Sequence, residues 1–334
     1  MNKRGALGFL ANIIAKHRSN VNFYLELNSI RVKDIMIKDV LCIHRDDKLT
    51  EAAHTMIGAH ASCLVVLENF RPIGIITERD FVKKLGMTKD HSDNMIVNDI
   101  MTKKLFSATP NMTLFEVHKI MREHNFRKIV VLDNGQLKGI ITQTDLCKVV
   151  ANLGVTHPRP PLVEDVMSKK VLTISDDDTF LKAKKLMTGK DIGSVLVVEK
   201  GKVQGMFTEF DLVSEFFMNP NRLRNSRMKE LMTTPVMCIS PGFDLFQIND
   251  LMLEHNFRRL PVVKDNKVIG IITQTDVARA LYDFIQAHKD YFGQARPKAG
   301  KEPSYCTKKT SNLIVCEKNM PAPEEKTVAN QDKK

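Results

Sequence analysis

The stretch Gly139-Ile140-Ile141-Thr142-Gln143-Thr144-Asp145 occurs a second time almost unchanged, as Gly270-Ile271-Ile272-Thr273-Gln274-Thr275-Asp276. Two looser copies are Gly74-Ile75-Ile76-Thr77-Glu78-Arg79-Asp80 and Gly205-Met206-Phe207-Thr208-Glu209-Phe210-Asp211. The four closing aspartates follow one another at intervals of 65, 66 and 65 residues. A methionine that ends a short acidic and apolar stretch keeps the same intervals, at Met36, Met101, Met167 and Met232. Four copies in register predict a fold built from one repeated unit.

Each copy joins a short apolar run to Thr-x-x-Asp and then to an amphipathic segment, which predicts a strand, a tight turn and a helix. One interpretation of Thr-x-x-Asp is a helix start, in which threonine caps the free backbone N–H groups and an acid in the first turn suits the positive end of the helix dipole. The other interpretation is a ligand site. A hydroxyl and a carboxylate beside exposed N–H groups can hold a sugar or a phosphate, and the glycine lets a ligand approach the backbone. The pattern alone leaves both interpretations open.

The rest of each repeat supplies a first strand, a first helix, and two strands joined by a hairpin turn such as Asp133-Asn134-Gly135. The first helix has apolar residues at helical spacing, and the last of them is a methionine, at Met56, Met121, Met187 and Met252. We expect these methionines to fill the core rather than to bind a metal. The order is therefore β-α-β-β-α, and four such units predict an α+β fold.

These residues resemble the cystathionine-β-synthase (CBS) domain family. The resemblance rests on the opening Val32-Lys33-Asp34-Ile35-Met36, the Val65-Val66 strand and the fourfold Gly-x-x-Thr-x-x-Asp, and it covers about residues 30–285. It implies four CBS repeats arranged as two CBS-pair modules, a layout similar to the gamma subunit of AMP-activated protein kinase. In this family such pairs commonly bind adenosine-containing ligands and regulate a partner.

The boundaries follow from the repeats. We expect an N-terminal amphipathic helix and leading segment in 1–28, with the helix over 6–17 docked on the first module or used as a membrane anchor or partner helix. The first module spans 29–155, with repeats at about 30–88 and 95–153. The second spans 156–293, with repeats at about 161–219 and 226–285, after a proline-rich linker that should let the halves fold separately. A disordered tail is expected over 294–334.

The resemblance also implies ligand residues. The aspartates would hold ribose hydroxyls and the threonines would lie near ribose or phosphate, at Thr77, Asp80, Thr142, Asp145, Thr208, Asp211, Thr273 and Asp276. The first-strand backbone near Ser107-Ala108 or Cys238-Ile239 would lie against the adenine. The basic pairs Arg127-Lys128 and Arg258-Arg259 are phosphate clamps or, alternatively, solvated strand ends. The fuller motif of the fourth repeat predicts the tightest site at Asp276.

Composition limits the other functions. The net charge of +11 lies mostly in the arms, since residues 1–33 carry six Lys and Arg against one Glu, and residues 294–334 carry nine against five Asp and Glu. Nucleic-acid binding through the repeat core is therefore not expected, although an association through the basic arms remains an alternative. Six cysteines form no Cys-x-x-Cys pair, and no apolar run reaches the length of a membrane span.

Familiar catalytic motifs such as Gly-x-x-x-x-Gly-Lys-Ser/Thr are absent from the sequence, so we expect a regulatory protein rather than an enzyme. It should require no cofactor and take an adenine nucleotide or S-adenosylmethionine as its regulatory ligand. We further expect a cytoplasmic protein that forms a homodimer or contacts an unidentified protein partner. A second alternative is a ligand-free scaffold in which Thr-x-x-Asp only caps helices.

Overall fold

The computed structural model describes residues 22–85, 94–153, 157–220, 223 and 226–293, and the backbone of residues 313–316. The amphipathic helix expected over residues 6–17 lies outside the described residues. So does the tail expected from residue 294 onward, except for residues 313–316.

Helix α1 (Phe23–Ser29) precedes four units that have the same order of helices and strands. The first unit contains α2 (Val32–Ile35), β1 (Cys42–His44), α3 (Leu49–Gly58), β2 (Cys63–Glu68), β3 (Arg71–Thr77) and α4 (Glu78–Lys84). The second contains α5 (Val97–Ile100), β4 (Ser107–Ala108), α6 (Leu114–Glu123), β5 (Lys128–Asp133), β6 (Gln136–Thr142) and α7 (Gln143–Asn152).

The second half repeats this order. The third unit contains α8 (Val163–Val166), β7 (Thr173–Ser175), α9 (Phe180–Lys190), β8 (Ser194–Glu199), β9 (Lys202–Thr208) and α10 (Glu209–Met218). The fourth contains α11 (Met228–Leu231), β10 (Val236–Ile239), α12 (Leu245–Glu254), β11 (Arg259–Lys264), β12 (Lys267–Thr273) and α13 (Gln274–Ala287). Helix α14 (Lys289–Phe292) follows, and strand β13 (Leu313–Cys316) lies further along the chain.

Every repeat has the same small sheet. Its first strand runs parallel to the second, and the second and third form an antiparallel hairpin with one register shift. The parallel pair is possible because the first helix crosses over between the two strands. The methionines at the end of that helix are 1% exposed in all four repeats, which confirms that they fill the core (Met56, Met121, Met187 and Met252). The predicted α+β fold of four repeats in two pairs is confirmed.

Within each pair, the segment that opens one repeat pairs with the third strand of the other. The backbone bridges are Ile37 with Ile140, Ile75 with Thr102, Ser168 with Ile271, and Met206 with Thr233. This exchange explains the constant spacing of methionine and glycine. A Cβ on Gly139 would lie 2.8 Å from both the Ile37 oxygen and the Met36 sulfur, and the other three glycines meet a methionine in the same way. The idea that these glycines admit a ligand is therefore wrong, because the neighbouring repeat fills the space.

Helices join the two pairs. One large apolar cluster is shared by the first and third repeats, and includes Phe81 and Phe217, whose rings meet edge to face at 5.6 Å. A second cluster is shared by the second and fourth repeats, and there α7 packs against α12 and α13. Each of these two clusters contains residues from both predicted modules.

The expected disorder of the whole tail is wrong for four residues. Strand β13 pairs antiparallel with β10, with Val236 opposite Cys316 and Ile239 opposite Leu313. The four residues Leu313 to Cys316 are apolar and two of them, Ile314 and Val315, are β-branched, which suits a strand, and the edge of β10 has free backbone groups to receive one. The fourth sheet therefore has four strands in the order β12-β11-β10-β13.

Candidate functional site

All four Thr-x-x-Asp stretches cap a helix. In each, the aspartate Oδ2 accepts hydrogen bonds from the backbone N–H and the hydroxyl of the threonine at the helix start, at 2.6–3.0 Å. The caps belong to α4, α7, α10 and α13. The capping interpretation is therefore correct for every repeat. It uses one carboxylate oxygen and leaves the role of the other oxygen to be decided by its surroundings.

The second oxygen distinguishes the two modules. Asp80 Oδ1 accepts a hydrogen bond from the Thr102 hydroxyl at 2.9 Å, and Asp145 Oδ1 lies 3.3 Å from Lys148 Nζ. Both aspartates of the first module are buried. Asp211 and Asp276 of the second module are half-buried, and within the described part of the chain no partner contacts their Oδ1 atoms. Those two oxygens are available to a ligand.

A cavity of about 270 Å³ opens beside Asp211, between the third and fourth repeats. Its walls are Met206, Thr208, Phe210 and Asp211 of the third repeat, Thr233, Pro235, Val236, Met237, Asn256, Phe257, Arg258, Arg259 and Leu260 of the fourth, and Glu78 of the first. Four predicted ligand residues therefore share one cavity, namely Thr208, Asp211, Arg258 and Arg259. Asp276 is not among the lining residues, although the sequence favoured it as the tightest site.

The two arginines of the cavity have different surroundings. Arg258 is half exposed, and its Nη1 lies 3.9 Å from Oε1 of Glu78. Arg259 Nη1 donates to the backbone oxygen of Gly193 in the third repeat at 2.5 Å. Arg258 can turn toward a ligand at little cost, whereas moving Arg259 would break a contact that holds the two repeats together.

The two basic residues of the second repeat differ from each other in the same way. Arg127 is half exposed and lies 3.9 Å from Oε2 of Glu209, while Lys128 Nζ donates to the oxygen and the hydroxyl of Ser62 at 3.0 and 2.6 Å. In both pairs the first basic residue faces a buried glutamate of the other module and the second is fixed to the neighbouring repeat. Two of the four predicted clamp residues, Lys128 and Arg259, therefore have a structural task.

The electrostatics of the cavity centre on Glu78. Burial raises the pKa of this carboxyl above its ordinary value, and Glu209 adds to the rise, while Arg258, Lys128 and Arg259 oppose it. Its Oε1 is buried and has no hydrogen-bond donor among the described residues. Burial also raises the pKa of Asp211, against the hydrogen bonds from Thr208. Burial and the neighbouring Arg127 lower the pKa of Arg259 to about 10, so that it keeps its charge at neutral pH.

The remaining predicted residues lie outside this cavity. Cys238 and Ile239 are buried in β10, directly after the lining residues Val236 and Met237. Ser107 and Ala108 form β4, the corresponding strand of the second repeat, with Ser107 exposed and Ala108 buried. The other caps, Thr77, Thr142 and Thr273 with their aspartates, occupy equivalent places at the starts of α4, α7 and α13.

Sequence reasoning missed Glu78, which reaches the cavity from the other module. A signal was present, because odd repeats carry glutamate after the threonine, at Glu78 and Glu209, where even repeats carry glutamine, at Gln143 and Gln274. The glutamines link the second and fourth repeats, since the Thr144 hydroxyl donates to Gln274 Oε1 at 2.6 Å and the Thr275 hydroxyl donates to Gln143 Oε1 at 2.7 Å. The glutamates instead meet the arginines.

Four separate segments match the family model described as the CBS domain, at residues 32–86, 97–152, 163–217 and 228–283. The chain belongs to the CBS domain family. Each matched segment contains one β-α-β-β-α unit with its capped second helix, so the CBS repeats coincide with the structural repeats.

Relatives share this architecture. Protein MJ1225 of Methanocaldococcus jannaschii is 28% identical over 214 residues, which are 61% of this chain and 75% of MJ1225. Its crystal structure, proposed to be that of an archaeal homologue of g-AMPK, aligns with a TM-score of 0.68 at 22% identity, over 75% of this chain and all of that one. A conserved protein of Pyrococcus horikoshii aligns with a TM-score of 0.53 at 20% identity, over the same shares. The CBS domain-containing protein YhcV of Bacillus subtilis is 33% identical over 35% of this chain and 82% of its own length.

In the described ranges, no group of three or more His, Cys, Asp and Glu side chains is placed to hold a metal ion. Among the helices that the structure describes, none is long and apolar enough to cross a bilayer.

Proposed function

We propose that this CBS protein binds an adenine nucleotide or a related adenosyl compound in the cavity between its third and fourth repeats, and that occupancy is transmitted to a protein partner. The observation that carries the proposal is the pairing of an available carboxylate, Asp211, with an available guanidinium, Arg258, across one cavity. The first suits the hydroxyls of a ribose and the second suits a phosphate.

The chemistry of each wall supports this assignment. Asp211 Oδ1 can accept hydrogen bonds from two neighbouring hydroxyls, and such bonds to a charged acceptor are stronger than neutral ones. The planar guanidinium of Arg258 can donate two parallel hydrogen bonds to phosphate oxygens. Met206, Phe257 and Leu260 provide apolar surface on which a purine can pack. The volume is close to the lower end of ordinary ligand sites.

Transmission would use the residues that cross between modules. Glu78 lines the cavity but belongs to the first repeat, and it faces Arg258 at 3.9 Å. A phosphate that draws Arg258 away would leave the Glu78 carboxylate with less compensation in its buried position. Ligand binding would then favour an altered contact between the modules, and a partner that contacts both modules would respond to the shift in population.

The test compares two variants with the same cap but different surroundings. Asp211→Ala and Asp276→Ala each remove a capping carboxylate, so each should lower the melting temperature of the ligand-free protein by a few degrees, for a loss of about 1 kcal/mol. A saturating ligand at about 100 times Kd should raise the melting temperature of the native chain by about 5–10 °C, from about 2.7 kcal/mol of binding. Asp211→Ala should lose most of this rise and Asp276→Ala should keep it.

The probes are AMP, ADP, ATP and S-adenosylmethionine at millimolar concentration. No rise with any of them would contradict the proposal and favour a scaffold in which the aspartates only cap helices. Loss of the rise in Asp276→Ala alone would move the site to the other cleft of the same pair, as the sequence suggested.

A further inference from the structure

The first strand of the fourth repeat differs from its three counterparts. It is longer and more apolar, Val236-Met237-Cys238-Ile239 against Cys42-Ile43-His44 and Thr173-Ile174-Ser175. In the described part of the chain β1, β4 and β7 each form an edge of their sheet, whereas β10 is covered by β13. The backbone pairing runs along all four residues of β10. The edge of β10 is therefore a docking edge for an extended strand, and it takes one from this same chain.

Strand β13 lies beside the proposed ligand cavity. Its residues 315 and 316 pair with Met237 and Val236, which line the cavity from the fourth repeat. It also lies beside β9, which supplies Met206 and Thr208 to the opposite wall. The strand therefore stands where the two walls of the cavity approach each other.

Strand β13 pairs with the stretch of β10 that the family resemblance assigns to the purine. The family resemblance implies that the adenine lies against the first-strand backbone near Cys238 and Ile239, and those residues pair with positions 314 and 313. Strand β13 lies in the plane of the sheet at the ordinary spacing of about 4.8 Å from β10, so it fills the space beside this edge, and an N–H that donates to it cannot also donate to a base. Ribose and phosphate contacts at Asp211 and Arg258 would remain open while the base contact was blocked.

We propose that residues 313–316 are an intramolecular competitor for the base end of the ligand, held on the edge of β10 until a ligand displaces them. This inference rests on the proposed function, since it assigns the base position within the same site. When a competing segment occupies a site most of the time, the apparent Kd rises by the inverse of the fraction of molecules in which the site is free, so a tenfold rise is reached when the segment is docked in about nine molecules of ten.

The experiment compares three lengths of the chain: the full chain, a chain ending at residue 316 and a chain ending at residue 312. The chain ending at residue 316 is the matched control, because it removes the final residues and keeps β13. Calorimetric titration would use adenosine, AMP and pyrophosphate. We expect the chain ending at 312 to bind adenosine and AMP about tenfold tighter than the other two, and all three chains to bind pyrophosphate alike, because only the base end is contested.

Two substitutions in the full chain test the pairing itself. Ile314→Pro and Val315→Pro remove adjacent backbone N–H groups, which point to opposite sides of a strand, so one of the two must remove a bond to β10. That variant should reproduce the gain in affinity seen in the chain ending at 312.

Equal affinities for adenosine in all chains would overturn the inference and leave the proposed function standing. Weaker binding by the chain ending at 312 would overturn it as well, because β13 would then complete the site. Absence of adenosine, AMP and ATP binding in every chain, including the one ending at 312, would overturn both.

Discussion

Arg258 and Arg259 are neighbours in the sequence, yet their surroundings give them different tasks. Arg259 is committed to the Gly193 backbone of the third repeat, while Arg258 is half exposed and faces Glu78. Under the proposed function, Arg258 is therefore the side chain that we expect to bind the phosphate. In the first module, Arg127 is likewise the half-exposed residue, and Lys128 is the one that hydrogen-bonds to the neighbouring repeat.

The first prediction uses this symmetry. Arg258→Ala should weaken the binding of AMP and ATP by about 10- to 100-fold, because a charge-assisted bond to phosphate contributes about 1.5–3 kcal/mol. The binding of adenosine should weaken by less than about twofold. Arg127→Ala is the matched control, since it also removes a guanidinium 3.9 Å from a buried glutamate but does not line the cavity. It should leave the affinities nearly unchanged. Calorimetric titration measures the dissociation constants of both variants. An equal loss of affinity for adenosine and for AMP in Arg258→Ala would contradict a phosphate clamp at Arg258.

The second prediction concerns pH and Glu78. Burial raises the pKa of its carboxyl, so the folded state binds a proton more tightly than the unfolded state does. Stability should then fall as the pH rises from the ordinary value of 4.5 through the raised pKa, and the loss should be complete above it. Glu78→Gln removes the ionisable group, so its melting temperature should fall less over this range and should equal or exceed that of the native chain at pH 7.

Glu209→Gln is the control for this prediction. Glu209 is also buried, but its Oε1 makes a 2.8 Å ion pair with Arg79 Nε, so its loss leaves the half-buried Arg79 with only Asp191, at 3.4 Å, as an acidic partner. Its melting temperature should fall at pH 7. Thermal unfolding from pH 4.5 to 7.5 compares the two, and a similar loss of stability in Glu78→Gln would show that its pair with Arg258 outweighs the cost of burial.

At the scale of elements, the sequence predicted what each repeat forms but not which repeat it touches. The order β-α-β-β-α, the capped helices and the methionine core follow from local patterns, and the structure confirms them. The exchange that places Met36 against Gly139 could not be predicted, because a constant spacing is equally compatible with contact inside one repeat. Strand β13 was missed because its pairing with β10 is long-range and leaves no periodicity in the tail.

The third prediction tests the exchanged contact. The three atoms nearest to a Cβ on Gly270 would all belong to the side chain of Met167, so Gly270→Ala should destabilise the protein by about 1–3 kcal/mol through overpacking. In the double variant with Met167→Ala, the added methyl group occupies space that the methionine has left. The double variant should therefore be more stable than the sum of the two single effects predicts.

Gly74 supplies the control for this cycle. A Cβ there would lie 2.8 Å from the backbone oxygen of Thr102 as well as 3.0 Å from the Met101 sulfur. Removing the Met101 side chain cannot relieve a clash with the backbone, so the coupling between Gly74→Ala and Met101→Ala should be smaller. Urea unfolding of each variant measures the free energy of unfolding. Equal coupling energies in the two cycles would contradict the assigned contact between Gly270 and the Met167 side chain.

At the scale of the whole molecule, the module boundary predicted from the sequence does not separate the hydrophobic core into two parts. The sequence predicts a division into two modules at the proline-rich linker, yet each of the two large apolar clusters contains helices from both. Hydrogen bonds also cross the division: Lys184 Nζ donates to the Leu85 oxygen at 2.6 Å, and Asn249 Nδ2 donates to the Cys147 oxygen at 3.1 Å. The helices of each pair therefore bury their apolar faces against the helices of the other pair.

The last prediction follows from these shared clusters. A chain of residues 1–155 would expose the faces of α4 and α7 that pack against α10, α12 and α13 in the full chain. Exposed apolar faces of this kind favour association. Because the two modules are built alike, we expect residues 1–155 alone to form a dimer in which a second copy replaces the missing module, with a melting temperature below that of the full chain.

Residues 156–334 should behave in the same way, and the two halves produced together should form a one-to-one complex in preference to either dimer. The reason is that Glu209 meets Arg79 and Glu78 meets Arg258 only in the mixed assembly. Light scattering after size exclusion gives the masses, and calorimetry gives the melting temperatures. Two monomeric halves, each as stable as the full chain, would show that the clusters are separable and that the linker is the true boundary.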